Sequence, residues 1–292
     1  MNKHSSRYDF NELKNYLEKK VKKCIVCNGD EFELFAKNNY LIARKCKKCN
    51  MISTNPYFNE EGVINLYSKY LSQRKKNKKK MDARNIMYKI DRDWIIKYVE
   101  SGNILDVGCS GGYFLNCFDR NKFNLEGVEI SKESAMTAKK SFNIDVRVGI
   151  FNKLNFDKKY DLVMMRGVIE HFIDPISEIK KASSILKKGG KFFITATPNG
   201  SSFAFEVYRG KWTLFTPDHV HFFSIEHLNE IMKRFNLKYI SHHYQYSETP
   251  YANIDKDNQK LKDDIIKISN GIEIDKSGPF LGNMLTAVWE KI

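Results

Sequence analysis

Residues 103–115 read NILDVGCSGGYFL, and this stretch decides the fold. A short apolar run ends at Asp106, a turn of small residues follows, and a run with helical spacing comes next. This order predicts a strand, a tight loop and a helix N-terminus, which together begin a nucleotide-binding α/β unit. Because Gly108, Ser110 and Gly112 leave space beside the backbone, we expect N–H groups and the positive helix end to approach a polar ligand.

An acidic residue follows at the spacing of a nucleoside site. Glu129 lies 21 residues after Gly108, at the end of a second apolar strand. A carboxylate in that place accepts hydrogen bonds from the two ribose hydroxyls of an adenine nucleotide. A dinucleotide fingerprint would need glycine at positions 110 and 113, where Ser110 and Tyr113 stand. The glycine pattern therefore does not match that of a site for a redox dinucleotide.

The same run resembles motif I of the S-adenosylmethionine-dependent methyltransferases with a Rossmann-like fold, L-D-x-G-C-G-x-G, with Ser110 in place of the middle glycine. Gly149 and Ile150 stand where relatives often carry an acidic residue beside the adenine. Since the Ile150 side chain cannot form a hydrogen bond, contact with the base there is apolar or comes from the backbone. The resemblance implies these cofactor-binding residues: Asp106, Gly108, Cys109, Ser110, Gly112, Glu129, Ile150 and Arg166.

A second segment, residues 157–175, resembles the F-D-l-V…v-l-E-H-l-x-d-P stretch of the same family. The resemblance implies a fourth strand followed by a turn that carries Glu-His beneath the methyl donor. Methyl transfer to a hydroxyl requires removal of a proton, so we consider His171, His219 and His221 as candidate general bases. A packed, hydrogen-bonded structural role is the alternative for His171.

Metal-assisted relatives resemble this segment but carry E-x-x-E-H. They include ubiquinone-pathway O-methyltransferases and small-RNA 3′-terminal methyltransferases. Here Gly167 occupies the first acidic position, which leaves Glu170 and His171, with His219 or His221 to complete a set. The sequence therefore disfavours a catalytic Mg²⁺.

Two closely spaced cysteine pairs follow C-x₂-C-x₁₈-C-x₂-C, formed by Cys24, Cys27, Cys46 and Cys49. This spacing is typical of a zinc ribbon, and four thiolates leave no open position, so we expect a structural Zn²⁺. Disulfides are the alternative, but no export signal is evident and thiols in a reducing compartment bind metal. Cys109 and Cys117 are interpreted as small buried hydrophobes.

The sequence suggests three parts: a zinc ribbon with an N-terminal extension, a helical connector or lid, and an S-adenosylmethionine-binding domain, at 1–54, 55–100 and 101–292. Residues 55–71 resemble the N-P-x-P…Y-x-x-x-Y connector of bacterial methyltransferases that carry such a ribbon, with Phe58 replacing the second proline. The resemblance implies that Tyr67 and Tyr70 contact the cofactor as a lid. Simple core packing is the alternative for this pair.

A long segment rich in Gly and aromatic residues, 197–223, is predicted to lie over the carboxyl ends of the strands and to contact the acceptor. Residues 212–224 are similar to a stretch of methyltransferases that act on sugars, polyketide-like scaffolds and quinone precursors. Alternating strands and helices from residue 103 onward predict an α/β fold with a parallel sheet. The resemblance makes it a Rossmann-like seven-stranded sheet whose terminal antiparallel hairpin lies near 237–246 and 281–289.

Charge is unevenly distributed over the 292 residues. Residues 1–100 carry 23 Lys and Arg against 12 Asp and Glu, so +11 of the net +14 lies in the first third. An anionic partner, either nucleic acid or a phosphate-bearing small molecule, and a surface of solvated lysines both fit this balance. The densest basic run, residues 74–80, lacks interleaved aromatics that stack on bases, which disfavours nucleic acid. With no apolar run long enough for a membrane span, we expect a cytoplasmic protein.

The primary hypothesis is a cytoplasmic S-adenosylmethionine-dependent methyltransferase that modifies a small hydroxylated molecule. A nucleotide-linked sugar or a surface-glycan precursor fits best, and O-methylation is favoured over C- or N-methylation. The alternative enzyme is an RNA or protein methyltransferase that holds its substrate with the basic ribbon. A regulatory module that binds an adenosyl ligand without catalysis is the third hypothesis.

Overall fold

The computed structural model describes residues 14–39, 41–59, 61–63, 65 and 78–292. Its strands are β1 (Leu17–Lys19), β2 (Phe32–Asn38), β3 (Leu41–Cys46), β4 (Ile52–Thr54), β5 (Tyr57–Phe58), β6 (Gly102–Val107), β7 (Phe123–Glu129), β8 (Asp145–Val148), β9 (Tyr160–Arg166), β10 (Leu186–Pro198), β11 (His221–Phe222), β12 (Leu237–His243) and β13 (Met284–Lys291). Its α-helices are α1 (Lys78–Ile95), α2 (Lys132–Phe142), α3 (Pro175–Ile185), α4 (Phe203–Tyr208), α5 (Ile225–Lys233) and α6 (Ile254–Ser269).

The main sheet has seven strands in the order β12-β13-β10-β9-β6-β7-β8. Strands β10, β9, β6, β7 and β8 run parallel, and β13 pairs antiparallel with β10 and β12. The prediction of a seven-stranded, mostly parallel sheet with a terminal antiparallel hairpin is confirmed. The chain leaves β6 toward β7 and β8 and later returns to its other side with β9. Ligands of open α/β sheets bind at such a reversal, outside the carboxyl ends of the strands.

Apolar layers cover both faces of this sheet. Within β9, Val163 and Met165 join one buried cluster, whereas Leu162 and Met164 join the cluster on the opposite face. All four side chains are buried, which explains why this strand is a continuous apolar run rather than an alternating one. The buried centre of the sheet gives the strand ends, where the candidate site lies, a rigid support.

The ribbon shares a second sheet with the long aromatic segment. Its order is β11-β4-β3-β2, and β11 pairs His221 with Ser53 and Phe222 with Ile52. Trp212, in the same segment, is 1% exposed in the apolar cluster between the two parts. Part of the segment 197–223 therefore packs against the ribbon, while Asp218 of the same segment lines the main cavity, so the predicted contact with the acceptor stays a prediction.

Several predicted elements differ in extent. The loop after β6 leads into a single 3-10 turn, Leu115–Cys117, and not into the expected helix. Helix α1, Lys78–Ile95, occupies much of the part predicted as a helical connector at 55–100. Helix α3 ends at Ile185, because residues 187–190 already belong to β10. The polar excursion at 247–278 contains α6, whose Leu261 is buried in the cluster beneath the ribbon.

Some predictions fall on residues outside the described ranges. These are the lid residues Tyr67 and Tyr70, the N-terminal extension at 1–13 and most of the basic run, at 74–77. Val63, in the described part of the same connector, does line the main cavity. Among the helices in the described ranges, none has the length and apolar character needed to cross a membrane.

Candidate active site

A cavity of about 420 Å³ opens at the carboxyl ends of β6, β7, β8 and β9. This volume suits a small-molecule or cofactor site. Gly112, one of the eight predicted cofactor residues, is not part of the wall that the described residues form. The other seven line the cavity: Asp106, Gly108, Cys109, Ser110, Glu129, Ile150 and Arg166.

The loop after β6 is bonded to its neighbours through its own backbone. The N–H groups of Gly108 and Cys109 both donate to Val128 O, at 2.8 and 3.1 Å, and that of Gly112 donates to Cys109 O at 3.0 Å. The Ser110 N–H donates to Glu129 Oε2 at 2.9 Å. Three of these N–H groups hold the loop against β7 and the fourth closes the loop on itself, so none of the four forms part of the expected cradle of N–H groups at a helix end.

Glycine is required in this loop for steric reasons. Gly108 has φ +76°, and a Cβ there would lie 2.6 Å from Val168 Cγ2, on the turn after β9. Gly112 also has φ +76°, and its Cβ would lie 2.9 Å from Ala138 Cβ in α2. Gly108 thus allows the two strand-end turns to approach, and Gly112 allows the loop to pack against α2.

The Glu129 carboxylate is held by two backbone N–H groups. Oε2 accepts from Ser110 and Oε1 accepts from Ser131, both at 2.9 Å. Ser131 in turn caps α2, since its side chain accepts from Ser134 N. A carboxylate has about four acceptor sites, so two such bonds fix its orientation without exhausting its capacity for hydroxyl donors.

Asp106 tests whether the cavity suits a charged nucleoside ligand. The side chain is 2% exposed, and its Oδ1 has no hydrogen-bond partner among the described residues. Burial raises the pKa of this carboxyl well above its usual value, Glu129 adds to the rise, and the Arg166 charge opposes it. A buried acceptor needs a donor, so the site fits a ligand that presents a cationic or N–H group here.

Arg166 is anchored by a residue that the sequence interpretation missed. Its Nε donates to Asp91 Oδ2 at 2.6 Å, and Gln245 Nε2 donates to Asp91 Oδ1 at 2.6 Å. The Arg166 guanidinium also lies 4.6 Å from the centre of the Tyr88 ring. The available signal was helical spacing, because Asp91 shares one helix face with Tyr88 and Ile95, both buried.

The three candidate histidines occupy different environments. His171 lines the cavity and donates from Nδ1 to Asp218 O at 2.7 Å, and its ring centre lies 4.9 Å from that of His219. His219 donates from Nδ1 to Leu214 O at 2.6 Å, is not part of the wall formed by described residues, and has a pKa lowered by burial. The structure therefore brings His171, and not His219, into the cavity.

His221 lies in the packing between the ribbon and the main sheet. It is 1% exposed, accepts at Nδ1 from Ser53 Oγ at 2.9 Å and points Nε2 toward Ile173 O at 3.5 Å. Burial lowers its pKa to about 4. The structure does not bring this third candidate base to the cavity wall.

Glu170, His171 and His219 offer ligand atoms that all lie within 4.8 Å of one another. Glu170 is buried and accepts from Thr197 Oγ1 at 2.9 Å. Gly167, at the first acidic position of the metal-assisted relatives, has φ +59° and adds no ligand. Of the two histidines that could complete the set, His219 lies close to Glu170 and His171. The prediction that a catalytic Mg²⁺ is disfavoured stays a prediction.

The Sγ atoms of the four ribbon cysteines all lie within 4.8 Å of one another. Cys24 Sγ lies 3.5 Å from Cys49 Sγ, and Cys27 Sγ lies 3.6 Å from Cys46 Sγ. A disulfide would need about 2.05 Å, whereas thiolates about 2.3 Å from one zinc are separated by nearly 4 Å. Each pair lies in a tight turn, in which the N–H of the fourth residue after the first cysteine donates back to that cysteine's carbonyl oxygen. The predicted clustering is confirmed, and its geometry fits zinc.

With this geometry in place, comparison with known proteins identifies the family. A family model described as a methyltransferase domain matches residues 51–242, which is more than half of the chain. The chain belongs to this methyltransferase family. Family membership confirms the prediction of an S-adenosylmethionine-dependent methyltransferase.

Relatives of the methyltransferase come from several microbes. An uncharacterised protein of Methanocaldococcus jannaschii is 29% identical over 66% of this chain and 89% of its own length. The ubiquinone biosynthesis O-methyltransferase of Pelagibacter ubique is 30% identical over 48% of this chain, and the match spans 63% of that relative. The similarity to the second protein therefore spans only part of either chain.

Solved structures share the fold of the methyltransferase. An S-adenosylmethionine-dependent methyltransferase from Thermotoga maritima superposes with a TM-score of 0.51 at 19% identity, over 78% of this chain and 96% of that chain. The YcgJ protein from Bacillus subtilis gives 0.50 at 18% identity, over 69% and 98%. At these identities the similarity establishes the architecture alone.

Proposed function

We propose that this methyltransferase O-methylates a small hydroxylated molecule, with nucleotide-linked sugars and surface-glycan precursors as the first acceptors to test. The observation that carries the proposal is a histidine in the wall of the cofactor cavity. His171 donates from Nδ1 to a backbone carbonyl, so in the neutral tautomer its Nε2 holds a lone pair. A base of this kind suits a hydroxyl acceptor, which must lose a proton during transfer.

The residues of the cavity fit S-adenosylmethionine. We assign Glu129 to the ribose hydroxyls, because its carboxylate is oriented by two backbone bonds and retains acceptor capacity. We assign Asp106 to the ammonium group of the methionine part, because Oδ1 is a buried acceptor in need of a donor. When bound, the cofactor supplies a methyl group already activated on a sulfonium sulfur. The chain then has to orient the acceptor and take its proton.

Charge limits which part of an acceptor enters the cavity. Asp174 and Asp218 line it beside His171. The two carboxylates in this part of the cavity wall would repel a phosphate group placed within a few ångströms of them. We therefore propose that the reacting part of the acceptor is uncharged or cationic, and that any phosphate group of the acceptor lies away from Asp174 and Asp218.

We also propose a structural Zn²⁺ held by the four ribbon thiolates. The supporting observation is the spacing of the sulfur atoms, which fits one tetrahedral ion with no position left for substrate. Thiolate ligation also suits a reducing compartment, which supports the proposed cytoplasmic location.

No feature of the described residues favours the RNA or protein alternative. Two ribbon lysines are engaged within the chain, Lys45 with Glu206 at 3.1 Å and Lys47 with Glu31 at 3.2 Å. A gel shift with tRNA and a salt titration separates the alternatives. Tight binding that weakens steeply with salt would overturn the small-molecule assignment.

Metabolite profiling identifies the acceptor. Purified enzyme with S-adenosylmethionine is added to a small-molecule extract of cells, alongside a sample with the His171→Asn variant. A metabolite that gains about 14 Da only with the active enzyme, and that loses an exchangeable hydroxyl proton, supports O-methylation. Cofactor binding without methylation of any extract component would favour the regulatory-module hypothesis.

A further inference from the structure

Glu178 is a buried acidic residue that none of the roles above uses. It lies in the first turn of α3 and lines the cavity, although its side chain is only 4% exposed. Its Oε2 has no hydrogen-bond partner among the described residues. A buried carboxylate oxygen without a donor is costly, which indicates that something other than the described residues satisfies it.

Glu178 and the proposed ribose site at Glu129 are connected by neighbouring segments of the cavity wall. Glu129 pairs with Val148 on β8, and the N–H of Gly149 donates to Glu129 O at 3.0 Å. Ile150 follows in the cavity wall, and the 3-10 turn Phe151–Lys153 then packs against α3. The wall therefore runs from Glu129 through Ile150 to Glu178, and we take this as the path of the base if Glu129 holds the ribose.

Ile150, at the end of β8, provides no side-chain acceptor for the base, whereas the amide of Asn152 and the carboxylate of Glu178 both lie in the cavity wall. Ile150 presents only methyl and methylene groups, which suit the face of a purine but not its polar edge. An exocyclic amine on that edge would lose its bonds to water in the cavity unless a protein acceptor replaced them. The unsatisfied oxygen of Glu178, on the facing helix, is an acceptor of the required kind.

We propose that Glu178 Oε2 accepts a hydrogen bond from the exocyclic amine of the adenine and selects the adenosyl cofactor by that amine. The inference rests on the S-adenosylmethionine dependence of the family and on the ribose role proposed for Glu129. Burial raises the pKa of Glu178 to about 7, with a further rise from Asp174, as expected of a carboxyl that lacks a compensating cation. The nearby backbone of Asn152 opposes this rise in the pKa.

Calorimetric affinities for two ligands test the proposal without any acceptor. The ligands are S-adenosylhomocysteine and its 6-deamino analogue, which lacks only the exocyclic amine. We expect the wild-type enzyme to prefer the amine by about tenfold or more, since a charged acceptor loses its donor in the analogue. Glu178→Leu, which removes the polar oxygens at similar volume, should bring the two affinities to within about threefold.

Two further variants keep the test decisive. Glu230→Leu carries the same substitution at an exposed helical site, where Glu230 pairs with Lys233, and should keep the wild-type preference. If Glu178→Leu does not fold, Glu178→Gln replaces it. A neutral acceptor forms a weaker bond, so the preference should fall by several-fold.

The measured affinities separate the role of Glu178 from the cofactor assignment. Equal wild-type affinities for the two ligands would overturn the role of Glu178 while leaving the methyltransferase assignment intact. An unchanged preference in a folded Glu178→Leu variant would do the same. If the wild-type protein bound neither ligand, the cofactor assignment itself would fail, and the role of Glu178 with it.

Discussion

Arg166 at the end of β9 donates from Nε to Asp91 Oδ2 of α1 over 2.6 Å. Asp91 is fully buried, and Gln245 Nε2 donates to its second oxygen. One carboxylate thus joins the helix that precedes the main sheet, the strand end that borders the cavity and the segment after β12. The wall of the site depends on this buried ion pair.

Removal of Asp91 should therefore destabilise the whole catalytic part. Asp91→Ala leaves the Arg166 guanidinium buried without its partner, so we expect the free energy of unfolding to fall by about 3–5 kcal/mol. Urea unfolding measures the change. Asp93→Ala is the matched control, because Asp93 is exposed and pairs with Arg92 at the surface. Equal stabilities of the two variants would contradict this account of Asp91.

Glu129 offers a direct measurement of cofactor binding. Glu129→Ala removes the acceptor proposed for the ribose hydroxyls, so the free energy of S-adenosylhomocysteine binding should weaken by about 1–3 kcal/mol. Isothermal titration calorimetry reports it. Glu133→Ala, at an exposed position in the first turn of the neighbouring helix, should bind as the wild type does. Unchanged affinity for Glu129→Ala would remove this residue from the site.

His171 should affect the rate and not the cofactor affinity. His171→Asn removes the proposed base, so kcat should fall by about 10²–10⁴-fold while S-adenosylhomocysteine affinity stays within about twofold. The control is His242→Asn, since His242 bonds to Tyr239 on β12, outside the cavity. A small effect on kcat would leave His171 in the structural role that the sequence also allowed.

The burial of His221 predicts how stability depends on pH. Its folded pKa of about 4 lies below the ordinary histidine pKa of 6.5, so the unfolded state binds more protons between these values. Stability should therefore fall as pH falls from 6.5 toward 4, with a contribution from His221 of up to about 3 kcal/mol. His221→Asn lacks this group, so its unfolding free energy should change less over the same range. If the unfolding free energy changed equally with pH in the wild type and in His221→Asn, His221 would not be the source of the pH dependence.

The local motifs were predictable because neighbouring residues encode them. Strand, turn and strand from Asp106 to Glu129 bring their side chains together wherever a parallel sheet forms, and the two cysteine knuckles close on their own backbone bonds. The sequence alone could not reveal Asp91 or Glu178, because each reaches the cavity from an element distant in sequence. Their common signal is a charged residue on an otherwise apolar helix face.

Other residues have packing roles that the sequence did not indicate. Trp212 and its aromatic neighbours pack against the ribbon, since large aromatics fill cores as well as binding sites, and the acceptor contacts predicted for this segment stay a prediction. Gly112 belongs to the motif but serves the packing of α2 and not the cavity wall. The loop after β6 resembles a helix start, but its N–H groups bond to β7 and Glu129 before any helix forms.

The ribbon contacts the catalytic part directly, so loss of the proposed zinc should affect the stability of both. Arg234 after α5 donates to Ile25 O and Val26 O, and His227 Nε2 donates to Cys49 O at 2.8 Å. Metal analysis of purified protein should find about one zinc per chain, and Cys46→Ser should lose it together with the folding of the ribbon. Because α5 then loses these acceptors, the unfolding midpoint of the main part should fall as well. Cys117→Ser, at a cysteine outside the cluster, should keep the metal. A Cys46→Ser protein that retains one zinc per chain would refute the four-thiolate site.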